Sequence, residues 1–68
     1  MINYKLKNLI ISIYSIKSWN TYKNEKIQVL TINNYKDLLK VYKLLKMKYF
    51  KKYSVKMLKN RILLKKIK

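Results

Sequence analysis

With 68 residues the chain is long enough for one small domain, and its 18 Lys and Arg against two Asp and Glu give a net charge of +16 that opposes compaction in isolation. The absence of Cys and His excludes disulfide staples and the common zinc ligand sets, and the absence of Gly excludes a glycine-rich phosphate loop. Nine Ile, ten Leu and seven Tyr are far more apolar material than a solvated basic tail contains, so packed elements are expected.

In chain order, Leu9, Ile11 and Ile13 alternate in a β-branched run and predict a strand over residues 8–17. A helix competes there, because Leu6, Leu9, Ile10, Ile13 and Tyr14 also satisfy helical spacing. Residues 18–25 are polar and turn-prone but lack the Gly of a tight hairpin, which predicts a loop of moderate length holding Trp19 and Tyr22. Residues 26–32 alternate again, with Ile27, Val29 and Thr31 on one face and Gln28, Leu30 and Ile32 on the other, a second strand antiparallel to the first.

The best-defined element starts at Asn34, a capping residue followed by Asp37 in the positive first turn of a helix. Leu38, Val41, Tyr42, Leu45 and Tyr49 form one apolar stripe, and Lys36, Lys40, Lys43 and Lys51 gather opposite it. Leu39, Leu44, Met47 and Phe50 flank the lysine face, where a neighbouring protein or RNA surface would cover them. Residues 51–68 carry eight of the 18 basic residues and no acid. Val55, Leu58 and Ile62 allow a short helix there, and residues 61–65 allow a strand against the sheet. The fold class is therefore read as small α+β, a two-stranded antiparallel hairpin followed by an amphipathic helix and a basic C-terminal segment, with a mainly α fold as the alternative. Residues 1–50 form the strand-strand-helix unit in this reading, and residues 51–68 a basic extension that orders on its partner. No internal repeat is evident in the sequence.

Catalysis needs a proton shuttle, an activated nucleophile or a metal, and the only carboxylates are Glu25 and Asp37, with no His to serve them. No enzyme activity, metal site, cofactor or small-molecule substrate is expected. No segment reaches the roughly 18 apolar residues of a membrane span, so no transmembrane segment is expected.

The informative signal is the distribution of charge. Residues 1–35 hold five Lys and one Glu, whereas residues 36–68 hold 13 basic residues and one Asp. A solvated helix face ordinarily interleaves both signs, so this half is read as a phosphate-binding surface. Its expected contacts are Lys36, Lys40, Lys43, Lys51, Lys52, Lys56, Lys59, Arg61, Lys65, Lys66 and Lys68, with Trp19 and Tyr22 as candidates for stacking on unpaired bases. Lys outnumbers Arg 17 to one, which favours neutralising a backbone over the forked readout of guanine edges.

Lys, Asn, Ile and Tyr make up 40 of the 68 residues, the mark of an AT-rich gene, yet Lys outnumbers Asn 17 to seven within the same codon class, so charge was selected. Small size, Lys richness, no catalytic equipment and apolar surface in excess of what so small a chain can bury together resemble the small ribosomal proteins, especially those of mitochondria with AT-rich genomes. That resemblance of character implies a structural constituent of the ribosome bound to rRNA and neighbouring ribosomal proteins. Its implied location is the mitochondrial matrix, or the cytoplasmic ribosome of an organism with an AT-rich genome. Residues 1–20 lack the marks of a secretory or transit leader, so a mitochondrial protein of this kind is expected to be made in place. Two other classes would use the same charges, a cationic amphipathic peptide on a membrane surface and a small DNA-compacting protein.

Overall fold

The computed structural model describes residues 4–67. Along the chain lie α1 (Tyr4–Ile13), β1 (Ile16–Tyr22), β2 (Ile27–Ile32), α2 (Tyr35–Tyr49), β3 (Tyr53–Leu58) and β4 (Arg61–Lys66). The strands form one antiparallel sheet in the order β1-β2-β4-β3. The class is α+β, but the order is helix, hairpin, helix, hairpin, which corrects the expected hairpin followed by a helix and a basic segment. The chain is two successive αββ units whose inner strands, β2 and β4, pair antiparallel at the centre of the sheet.

The first correction falls on residues 8–17. β2 is only six residues long, and its free edge is taken by residues 16–22, from Ile16 opposite Ile32 to Tyr22 opposite Ile27. Residues 9–13 therefore have no strand to pair with, and their backbone groups are satisfied within a helix instead. Of the helical set, Ile10 is buried in the core, Leu6 and Tyr14 pack partly against it, and Leu9, Ile11 and Ile13 stay exposed. The second correction is that Trp19 and Tyr22 lie in β1 and not in a loop. The turn is confined to residues 23–26, and without Gly it is made by Lys23, Asn24 and Glu25 at φ of 51°, 53° and 68°. Such left-handed conformations cost non-Gly residues about 1–2 kcal/mol each. The turn is held by the Lys26 N–H donating to the Lys23 carbonyl (3.1 Å) and by the buried Tyr53 hydroxyl donating to the Glu25 carbonyl (3.2 Å).

β2 and α2 form as their periodicities predict. Asn34 caps α2, its side-chain oxygen accepting from the Lys36 and Asp37 amides at 3.0 and 3.2 Å. Leu38, Val41 and Leu45 on the α2 stripe are buried against Leu30 and Ile32 of β2, Ile62 and Leu64 of β4 and Tyr53 of β3. Tyr42 and Tyr49 of the same stripe pack at its margin, and Tyr49 meets Tyr53 edge-on at 6.1 Å. Replacing the cap, Asn34→Ala, is expected to cost about 1 kcal/mol, which in a domain of this size lowers Tm by about 4–8 °C in a calorimetric scan. An unchanged Tm would mean that the first turn of α2 is not held by this side chain.

The basic C-terminal segment is the second hairpin. Tyr53, Val55 and Met57 alternate with Ser54, Lys56 and Leu58, and Ile62 and Leu64 alternate with Arg61, Leu63 and Lys65. β4 enters the sheet between β2 and β3 and carries two of the fully buried side chains. Of the two readings open for this stretch, the strand over residues 61–65 is the one formed.

Candidate nucleic-acid interface

Both helices cover one face of the sheet and leave the other bare. The cross-strand register assigns the two faces. Toward the helices point Trp19, Leu30, Ile62 and Met57 in one row and Thr21, Gln28, Leu64 and Val55 in the next. On the bare face one row runs Tyr22, Ile27, Lys65, Ser54, the next Asn20, Val29, Leu63, Lys56, and the third Ser18, Thr31, Arg61, Leu58. A bulge between Ile16 and Ser18 adds Lys17 to this surface, beside Ser18. The face thus has a half-exposed apolar centre of Ile27, Val29 and Leu63 with Lys17, Lys56, Arg61 and Lys65 around it, and no carboxylate stands in any of its rows.

Along β1 this surface is concave. Lys17, Ser18, Asn20, Tyr22, Val29, Thr31 and Arg61 line a depression of about 370 Å³. Tyr22 is 51 % exposed at one end of it.

The second cationic surface is the outer side of α2, where Lys36, Lys40 and Lys43 are exposed and Lys46 and Lys48 add to them in the last turn. The Lys46 ammonium stands 5.6 Å from the Tyr42 ring centre. Met47 and Phe50 are 70 % and 58 % exposed beside Lys43 and Lys46, and the Lys51 ammonium lies 5.8 Å from the Phe50 ring centre. Leu44, by contrast, packs against the core, so only part of the apolar flank is left open.

The expected contacts are therefore divided between two sides of a two-layer protein. Lys36, Lys40 and Lys43 lie on the helix layer, and Lys56, Arg61 and Lys65 on the bare sheet face. Lys51 and Lys52 occupy the α2–β3 turn and Lys59 the tip of the β3–β4 turn. Lys66 pairs with Tyr53 at the end of β4, its N–H bound to the Lys26 carbonyl at 2.7 Å. Lys68 lies outside the described residues. The two stacking candidates part company: Tyr22 points to the bare face, while Trp19 points to the core. The Trp19 indole N–H donates to the side-chain Oε1 of the buried Gln28 at 2.6 Å, and the Lys7 ammonium covers its ring at 5.3 Å. Among the aromatic hydroxyls, burial and then the neighbouring Tyr53 push the Tyr49 phenol above its ordinary range.

No family model, curated protein or solved structure matches this chain. What it can bind is set by its own side chains. Among the described residues no cluster of three His, Cys, Asp or Glu could hold a metal ion, and no helix is long and apolar enough to cross a membrane. Sequence reasoning missed Lys17 and Asn20, which belong to the half of the chain with little charge. The signal that could have found them is the alternation of residues 27–32. One face of β2 is strictly apolar or amide and the other is mixed, so a partner strand must also present a half-exposed side.

Proposed function

We propose that the protein is a structural RNA-binding protein, a ribosomal constituent that neutralises rRNA phosphates and acts in the mitochondrial matrix of an organism with an AT-rich genome. The observation that carries this reading is the placement of cations on both layers, Lys36, Lys40 and Lys43 on α2 and Lys17, Lys56, Arg61 and Lys65 on the bare sheet face. The domain measures 30 × 24 × 20 Å. Two cationic surfaces so close together suit a ligand that brings two backbones to opposite sides of a small protein, as folded RNA does. Each ammonium set against a phosphate releases a condensed counterion, so affinity is electrostatic and steeply salt-dependent. The mechanism is scaffolding without turnover.

The membrane-surface alternative is disfavoured because the α2 stripe is already used: Leu38, Val41 and Leu45 are buried against the sheet and are not free to enter lipid. DNA remains a second reading. It is favoured by Asn20, Thr31 and Arg61 on the bare face, side chains able to address base edges in a duplex groove. One set of measurements separates these. Filter binding to a structured RNA, a DNA duplex and anionic vesicles between roughly 50 and 200 mM salt is expected to show RNA bound most tightly. A protein making six or more phosphate contacts would lose about 10³-fold in affinity over that range. In an extract of the native host, the chain should sediment with a ribosomal particle at high magnesium, leave it at high salt, and be released by RNase but not by DNase. Release by DNase alone would overturn the RNA reading in favour of the duplex one.

A further inference from the structure

We propose that the depression along β1 is a binding site for a short unpaired nucleotide strand, one base stacked on Tyr22 and the phosphate of a neighbouring nucleotide held by Lys17 and Arg61. This assignment rests on the RNA-binding reading above and adds what the bare face selects. The volume of about 370 Å³ lies in the range of small-ligand sites, about 300–1,000 Å³. The lining groups are those a nucleotide needs, and they are spread along the strand in the matching order. Tyr22 stands at one end, and Lys17 is five residues away along β1, roughly 16 Å at about 3.3 Å per residue. That length exceeds one nucleotide, so the base on Tyr22 and the phosphate at Lys17 and Arg61 belong to neighbouring nucleotides of one unpaired strand.

Each residue has a part that its chemistry dictates. Tyr22 sits on an edge strand with half its surface open on the face away from the core. Its ring offers a flat apolar platform that takes any base. Val29, directly across from Asn20 in the register, supplies an apolar floor, and the Asn20 amide carries both a donor and an acceptor for a base edge. Thr31 pairs with Arg61 across the β2–β4 ladder and places a hydroxyl beside the guanidinium. Arg61 is the only Arg of the chain, and its planar fork grips a phosphate through two parallel hydrogen bonds where Lys offers a point charge. No carboxylate lines the depression, so an anion meets no repulsion there. A paired base shows only its edges, whereas Tyr22 needs an open base face, which selects a bulge, loop or single strand over a continuous helix.

The test uses the full chain and two RNA hairpins that differ only by one bulge of about three nucleotides, one of them a 2-aminopurine in the labelled version. The bulged hairpin is expected to bind about 5- to 100-fold more tightly, as one stacked base contributes, with quenching of the 2-aminopurine on binding. Tyr22→Ala should abolish both the preference and the quenching while leaving salt-sensitive binding to the unbulged hairpin, and Tyr22→Phe should retain both. Tyr22 lies outside the core, so circular dichroism of the variants should match the parent. Equal affinity for the two hairpins, or quenching that survives Tyr22→Ala, would overturn the nucleotide site while the backbone-binding reading stands. Absence of salt-sensitive binding to either hairpin would overturn both.

Discussion

Replacing Lys17, Lys56, Arg61 and Lys65 together by Gln is expected to lower affinity for structured RNA by on the order of 10²- to 10³-fold at about 0.1 M salt. Each lost phosphate contact removes about 0.7–0.9 unit from the slope of log K against log salt, so the slope should flatten by about 3 units. The four side chains are exposed and stand at the periphery of the bare face, away from the core. Relief of self-repulsion should leave the variant at least as stable as its parent. A matching substitution of Lys36, Lys40 and Lys43 on α2 is expected to flatten the slope independently by about 2–3 units if, as proposed, that layer meets a second backbone. The pair of variants is decisive when titrated side by side on one RNA. If the α2 substitutions change nothing while the sheet substitutions do, the protein sits on one strand by its sheet and the bridging role is lost.

Leu30→Ala is expected to leave the isolated chain unfolded. Leu30 is fully buried at the centre of the sheet, between Trp19 on β1 and Ile62 on β4. Truncating such a side chain costs about 2–5 kcal/mol, and a core in a domain of this size rarely supplies more than about 3–5 kcal/mol. A ligand that binds only the folded state returns about 2.7 kcal/mol at 100 times its Kd. Circular dichroism melts should therefore show no cooperative transition for the free variant and its recovery on adding RNA. Leu58, 53 % exposed on β3, is the control, since its change to Ala should shift stability by no more than about 0.5 kcal/mol. A cooperative melt of the free Leu30→Ala chain, close to that of the parent, would show that the sheet core is not what holds the fold.

How much of the molecule was legible can be judged element by element. β2 and α2 were read with nearly the observed limits, because each carries a complete local signal: strict alternation over Ile27–Ile32, and a cap followed by a stripe over Tyr35–Tyr49. The strand expected over residues 8–17 gives way to α1 because Leu9, Ile11 and Ile13 fit alternation while Leu6, Leu9, Ile10, Ile13 and Tyr14 fit a helix, and the two patterns overlap in the same stretch. β3 alternates much as β2 does, but β4 runs through three consecutive apolar residues, Ile62 to Leu64, and the Lys density of the segment resembles a solvated tail. The loop read over residues 18–25 is mostly β1, because the chain makes its hairpin turn from non-Gly residues held at positive φ.

The sequence by itself determined that this chain carries an uncompensated positive charge, that the charge is Lys, and that α2 has one apolar and one cationic side. Those properties reside in single side chains and in spacings within one element. Only the tertiary structure decided which segments pair, and therefore which face of the sheet is left bare. Pairing is a choice among partners distant in sequence, and it set β4 between β2 and β3 and left residues 9–13 with no strand to join. That choice placed Lys17 and Asn20 of the sparsely charged half on one surface with Arg61, and it turned Tyr22 outward and Trp19 inward from the same strand.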